Sequence, residues 1–545
     1  MDTQAQVAAS PAEAAKSPRS MQPPRWEWLV VSLILLAWFG LNLATCGDYP
    51  QVWCDEIWFS EPAINLVQSG SFTTMVWPYQ PIHTFPTVNC PIYSMAIAPW
   101  LYLTGTNLVA IRSFNYALIA VAALLLWVAC WRFDLVRRPL HRLLFVVLLH
   151  LAYGMCYSYR CSRPDILGLV CLSGLLLSLQ FKRQLLRALC LAGLSGLAVC
   201  IGLQVGLFAG LALFLGWLIL RQVTLRELVV SGLSMVAAVG GLILFFAWKG
   251  VLSPFLASTL GFLGKQYAHQ VRHTLYDMVR IVVGQTISNY MADFSMLVVS
   301  VGLVVLLVAT WKRLTSRMRR LAVYCITLAL VVPLIFNLVG HFAFYYSYMR
   351  FVPTALVLFA LWSELFPEGS MPRPVLRVIV VTTVVGAMAV GLPLRFAVRA
   401  ATAKLMPRND VQRILDSVIR PDDVVCSDYA YFFEVKRITS TVYDRSFSPI
   451  SSVPHIAEVR ELTREQKDAV SVLVIRPKER DILTQFFGGS WSAATEPFGD
   501  MQLAGALGDL PVVGNRILHY LSQPQTERYQ VQVFRRTSSP PAQRH

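Results

Sequence analysis

The segment Trp53-Cys54-Asp55-Glu56-Ile57-Trp58 decides how this chain is read. It sets two adjacent carboxylates between tryptophans, a few positions beyond an apolar run at 28–46. Such rings favour a membrane–water interface. From residue 47 to residue 111 there is no Lys or Arg at all. Working outward, further apolar runs recur near 109–131, 143–159, 165–181, 185–203, 205–220, 228–248, 294–311, 321–340, 350–366 and 375–394. A spanning helix needs about 20 mostly apolar residues, so the pattern predicts about eleven spans in all, with 185–220 readable either as two spans or as paired half-helices.

Composition agrees. Of 545 residues 55% are hydrophobic and only 14% charged, against about 25% charged in soluble domains. The net charge is +16. Most of the excess lies before residue 394, where 27 Lys or Arg face 14 Asp or Glu. That location suits loops against anionic lipid and excludes a nucleic-acid partner, which needs a basic face on a soluble module. With the N-terminus inside, the cytoplasmic connections collect sixteen Lys or Arg while 47–111 faces outward with none. This asymmetry follows the positive-inside rule. Pro91–Leu103 is apolar enough to span, but a span there would invert every later loop, so it reads as a re-entrant or interfacial helix.

The expected organisation is a cytoplasmic, disordered N-terminus at 1–24 without a cleavable signal, and a transmembrane catalytic domain at 25–394. Its large extracytoplasmic loops fall at 47–108 and 249–292, the second carrying amphipathic stretches at Phe255–Tyr267 and Leu275–Val283. A soluble extracytoplasmic α/β domain follows at 395–537, then a frayed tail at 538–545. In that domain Val411–Ile419, Tyr429–Lys436 and Lys478–Phe487 read as helices, and Val424–Ser427 and Val470–Ile475 as strands. The eleven cysteines show no zinc-type spacing and mostly sit singly in apolar runs. Cys54 and Cys90 share the first outer loop, where an oxidising compartment would let them pair.

Adjacent side chains on a helix diverge by about 100°, so Asp55 reads as a general base and Glu56 as a supporting group. A solvated acidic loop that opens a helix, with Asp55 as N-cap and Pro62 in the first turn, would read the same locally. Arg112, Arg160, Arg163, Asp165 and Arg350 fall on the same outer face. A charge at mid-helix costs about 2.5–3.5 kcal/mol to insert, so these groups face a cavity or a partner, or snorkel to the interface. Lys249, Lys265, Arg272 and Arg280 add cations on the second loop. His83 is a lone histidine in the first loop, open to acceptor or metal binding.

The early Asp55-Glu56 pair, Arg112 at the next span, the Ser162-Arg163-Pro164-Asp165 turn and Phe344-Tyr345-Tyr346-Ser347-Tyr348-Met349-Arg350 together resemble the GT-C membrane glycosyltransferases. The nearest likeness is to the bacterial protein O-mannosyltransferase and lipid A aminoarabinose transferase group, over roughly 26–394. Cys54 before the acidic pair departs from that pattern, as does Asn89-Cys90-Pro91 where many relatives carry Pro-Pro. The resemblance implies inverting transfer of a sugar from a polyprenyl-phosphate donor to a protein, lipid or glycan acceptor at the outer face of the inner or plasma membrane. It assigns Asp55 as base, Glu56 as its neighbour, and Arg350, Arg280, Arg112 and Lys265 as candidates for the donor phosphate. Tyr345, Tyr346, Arg163, Asp165 and His83 are supporting residues. No cofactor is assigned; a divalent metal is left open, with Asp55 and Glu56 the only evident ligands and no second Asp-x-Asp. The rival classes are a multi-pass transporter or lipid flippase, which often shows an internal repeat absent here, and a non-catalytic GT-C-like assembly protein.

Overall fold

A computed structural model describes residues 23–50, 52–77, 79–87, 91–259, 275–339, 342–366, 374–404, 406–448, 462–502 and 529–538. Lys265, Arg272 and Cys90 lie outside these residues, and with Cys90 the expected Cys54–Cys90 pairing.

Seventeen helices precede the C-terminal sheet among the described residues: α1 (Arg25–Ala44), α2 (Cys54–Ser69), α3 (Ile92–Thr104), α4 (Leu108–Arg132), α5 (Pro139–Leu151), α6 (Tyr153–Arg160), α7 (Asp165–Ser178), α8 (Gln184–Ile201), α9 (Leu203–Leu215), α10 (Leu225–Trp248), α11 (252–259), α12 (Leu275–Ala292), α13 (Phe294–Thr310), α14 (Ser316–Val339), α15 (Tyr348–Leu365), α16 (Pro374–Ala389) and α17 (Leu392–Thr402). Their ends follow local chemistry. Asn107 caps α4 by accepting from Ala110 N at 2.9 Å. Thr224 and Glu227 form a capping box at α10, and Asp293 accepts from Met296 N to start α13.

Among the described residues eight helices are long and apolar enough to cross a membrane, or nine when the bent pair α5 and α6 counts as one. The expectation of eleven differs at two places. Helix α7 is only 14 residues long. Helix α15, 18 residues long with Arg350 and Glu364 in it, falls outside the set by composition, and its burial from Tyr348 through Ser363 puts it at the centre of the bundle. In contrast, α10 exposes Leu233, Val236 and Leu244 as a helix facing lipid does. Residues 185–220 form two helices, α8 and α9, that turn at Gly202 and pack on each other. The amphipathic stretch Leu275–Val283 is the first half of the continuous α12.

The expected span at 143–159 is bent by 66° between α5 and α6. Ala152 takes an extended conformation there, and the freed Tyr153 N donates to Ser295 Oγ at 2.8 Å. Gly391 lies against the same break, where a Cβ would fall 1.8 Å from Leu151 O, so only glycine fits. Gly154 then lets α6 press against Asp293 and Ser347. The bend therefore brings the 161–165 turn, α13 and the segment before α15 to one end of the bundle.

Beyond α17, seven strands among the described residues form a mixed sheet: β1 (Ala403–Lys404), β2 (Val425–Ser427), β3 (Val442–Asp444), β4 (Val472–Ile475), β5 (Ser490–Ala493), β6 (Phe498–Gln502) and β7 (Tyr529–Ser538). The order is β1-β6-β7-β4-β2-β3, with β5 also on β7; β3, β2 and β4 are parallel and β7 is antiparallel to β4. Helix α17 runs across the boundary expected at 394/395, and Arg395 on it is buried with its guanidinium 3.6 Å from the Tyr153 ring centroid. The sheet docks on the first loop: Met75 and Ile82 share an apolar cluster with Tyr443, Phe447 and Leu473. Buried Lys436 lies 3.9 Å from buried Glu61. Burial pushes the Lys436 ammonium down to about 8 and Glu61 upward, each toward its neutral form.

Candidate active site

Helix α2 begins at Cys54, so both carboxylates fall in its first turn. Glu56, not Asp55, closes the helix start, accepting from Trp53 N at 3.3 Å. Pro62, expected in the first turn, lies inside the helix instead.

The two carboxylates then part. Glu56 is fully buried and accepts from Arg112 at both oxygens, 2.9 Å from Nε and 2.7 Å from Nη2. Ser162 N adds a bond of 3.1 Å to the same carboxylate. Arg112 Nη1 donates to the carbonyls of Cys46 and Pro50 at 2.7 and 2.8 Å. Every nitrogen of Arg112, a residue the resemblance offered for the donor phosphate, is thus engaged by Glu56 and two carbonyls. Its role here is to tie the end of α1, the start of α2 and α4 together.

Asp55 points the other way, with 15% of its side chain exposed. Its Oδ2 accepts from Arg163 Nη1, and Cys54 Sγ lies 3.5 Å from its Oδ1. Arg163 also donates from Nε to Asp165 at 2.8 Å, and its guanidinium sits 3.4 Å from the centroid of the Tyr345 ring. The 161–163 turn is held by Asn115, which donates to the carbonyls of Cys161 and Arg163 at 2.5 and 2.9 Å. Ser60 and Tyr93 each lie 2.8 Å from Ser162 Oγ. Burial pushes the Cys54 thiol up, with Asp444 of the C-terminal sheet adding to the effect, so this cysteine is a thiol rather than a thiolate.

Tyr345 connects Asp55 to a second charged group. Its ring meets Trp53 edge-on at 6.5 Å, its carbonyl accepts from Ser158 at 2.7 Å, and the neighbouring Tyr346 stacks on Phe336. Five residues later Arg350 is fully buried and 3.6 Å from Asp293 Oδ2. Its Nη2 donates to Asn289 O at 2.6 Å, and the Tyr290 ring lies 4.6 Å away. Arg350 Nε and Nη1 have no hydrogen-bond partner among the described residues. Arg280 is exposed on α12, one helix away. His83 sits in a tight turn with φ 61°, its N–H donating to Thr74 O at 2.9 Å; burial, with Lys436 nearby, lowers its pKa.

The structure therefore brings together Asp55, Glu56, Arg112, Arg163, Asp165 and Tyr345, with Tyr346 and Arg350 on the adjoining segment. Sequence reasoning missed Asp293, whose signal was an isolated carboxylate between two apolar helices. It also missed Arg395. Arg160, buried, donates to Tyr49 O, Asn42 Oδ1 and Thr45, and so clamps the loop after α1. Among the described residues no group of three or more His, Cys, Asp or Glu side chains converges as a metal site.

No family model matches the chain, and no curated protein matches it. Solved structures do. The chain is similar to ArnT from Cupriavidus metallidurans bound to undecaprenyl phosphate, with a TM-score of 0.52 at 12% identity over 88% of this chain and 98% of that one. It is also similar to the mycobacterial arabinofuranosyltransferase AftD, at TM-score 0.47 and 14% identity over 95% of this chain and 40% of that one. The oligosaccharyltransferase AglB from Archaeoglobus fulgidus aligns at TM-score 0.42 and 11% identity over 90% and 75%. The likeness to ArnT shows that this chain has the GT-C membrane glycosyltransferase fold.

Proposed function

We propose that this protein is an inverting glycosyltransferase that takes a sugar from a polyprenyl-phosphate carrier and passes it to an acceptor at the extracytoplasmic face of the cell membrane. The observation that carries the reading is the divergence at α2: Glu56 is sealed into the scaffold, while Asp55 faces outward with Arg163 fixing its direction. A positioned carboxylate that reaches an acceptor hydroxyl or amine is what general-base catalysis requires. The donor class is carried over from ArnT, whose structure holds undecaprenyl phosphate.

In this reading Asp55 takes the acceptor proton as the acceptor heteroatom bonds to the anomeric carbon. The bond from that carbon to the phosphate oxygen breaks, and the lipid phosphate leaves with the electron pair. Charge grows on the departing phosphate and calls for preorganised donors. Arg350 has two N–H-bearing nitrogens unpartnered among the described residues and heads that role, with Arg280 and Lys265 as candidates from the second loop. Arg112 leaves the list, because Glu56 and two carbonyls hold it. Tyr345 keeps Arg163 flat against Asp55. A membrane-borne donor also fits the absence of a nucleotide-sugar motif in the sequence.

The orientation belongs to the same proposal: N-terminus cytoplasmic, loops 47–108 and 249–292 and the C-terminal sheet outside. A cysteine introduced at Gly70 is expected to react with an impermeant reagent added to intact cells; reaction only after the inner face is opened would overturn the topology. The chemistry is tested by incorporation of radiolabelled sugar from a polyprenyl-phosphate donor into membranes. Asp55→Asn is expected to give none while inserting normally, and wild-type incorporation by that variant would sink the mechanism.

A further inference from the structure

A concavity opens at the far end of the bundle from Asp55 and runs inward as far as Tyr348 and Met349, beside Arg350. An apolar cavity of about 160 Å³ runs between α7, α9, α14 and α15, walled by Leu169, Leu172, Leu176, Phe208, Leu328 and Leu356 among others. A second, polar cavity of about 460 Å³ opens beside it, lined by Arg132, Asp134, Gln180, Arg187, Gln222 and Arg317. Phe133, Leu179, Gln222 and Arg317 line both, so the two are one continuous concavity. Its mouth is opposite the acidic loop, because α4 starts beside the Glu56–Arg112 pair and ends at Arg132.

We infer that this concavity binds one anionic phospholipid from the adjoining leaflet, a single acyl chain in the apolar part and the phosphate at the arginine mouth. Three features favour that occupant. Along α7 the apolar lining extends from Leu169 to Leu179, about 15 Å at 1.5 Å per residue, half the ~30 Å hydrocarbon thickness and so the depth of one leaflet. The walls offer few polar atoms, and a water needs two to four polar partners, whereas an empty void would forfeit packing that a chain supplies. The mouth is cationic: Asp134 is paired with Arg137 and Arg187 with Glu227, while the exposed Arg317 has only one nitrogen engaged, on Phe133 O. Basic pockets between membrane helices are where phosphate headgroups bind.

The test is native mass spectrometry of the full chain in neutral detergent, titrated separately with dioleoyl phosphatidylglycerol, dioleoyl phosphatidylcholine and inorganic phosphate. One phosphatidylglycerol is expected to be retained at about 10-fold lower concentration than phosphatidylcholine, and phosphate alone not retained. Arg317→Glu at the exposed mouth is expected to abolish the headgroup preference, and Leu176→Trp to block retention of either lipid. Thermal midpoints close to wild type identify folded variants, and a second plug, Leu172→Phe, replaces Leu176→Trp if that one melts early. Equal retention of both lipids by the wild type, tight retention of phosphate alone, or phosphatidylglycerol binding untouched by Arg317→Glu and by the plug would each overturn the inference.

Discussion

Asp55 and Glu56 are neighbours in sequence and opposites in setting. Glu56 has both oxygens bonded to Arg112, is covered by the Ser162 amide, and is fully buried. Asp55 has a partner in Arg163 but keeps part of its side chain in the open, beside Trp53 and Tyr345. The first pair is a bolt between α2 and α4; the second leaves a partly exposed carboxylate at the start of α2. A helix that turns about 100° per residue makes that division from two identical-looking acids.

The comparison can be broken at several points, and the largest effect belongs to Asp55. Asp55→Asn keeps the shape and removes the base, so transfer is expected to fall below detection, a loss of about 10²–10⁴-fold, with the thermal midpoint held. Glu56→Ala is expected to do the reverse. It strands a buried arginine, and losing one partner of such a pair costs about 3–5 kcal/mol, read as a lower midpoint and reduced yield. Replacing both partners, Glu56→Leu with Arg112→Met, should recover much of that stability; no gain over Glu56→Ala would show that the pair is not a packing element.

A third carboxylate sharpens the contrast. Asp444, at the end of β3, is 1% exposed, and its Oδ1 has no hydrogen-bond partner among the described residues. Burial raises it to about 6. Because the folded value is above the unfolded one, the native chain holds the extra proton between about pH 4 and 6. Stability tied to this group is therefore present below pH 4 and is lost as pH rises through 6, by an amount on the order of 2–3 kcal/mol. Asp444→Asn should flatten that part of the midpoint-against-pH curve, and an unchanged curve would remove Asp444 as its source. The smallest effect is expected at Ser60→Ala, which removes one bond to Ser162 Oγ worth about 1 kcal/mol and leaves transfer intact.

Much of this architecture was legible in the sequence because hydrophobic run length and the placement of Lys and Arg are local signals. Most of the long helices follow from them, and the alternation of short apolar runs gives the helices near 411–487 and the strands near 424–427 and 470–475. What stayed hidden depends on distance along the chain. Nothing near Arg112 says that its partners are two carbonyls and a glutamate 56 residues earlier, so it read as a phosphate ligand or an interfacial cation. Arg163 meets Asp55 across 108 residues. Helix α15 looked like any other span because burial by other helices and burial by lipid select the same apolar side chains. The bend at Ala152 rests on Ser295 and Gly391, both remote. Strand β5, Ser490–Ala493, has no apolar alternation, since it is an outlying strand exposed along most of its length.

The most direct measurement separates donor binding from transfer in one variant. Purified wild type and Asp55→Asn would each be given radiolabelled polyprenyl-phosphate sugar, and carrier-bound label and label passed to acceptor counted from the same sample. The account predicts that Asp55→Asn retains the donor as the wild type does and transfers none of it. Transfer at the wild-type rate with Asn at position 55 would contradict it.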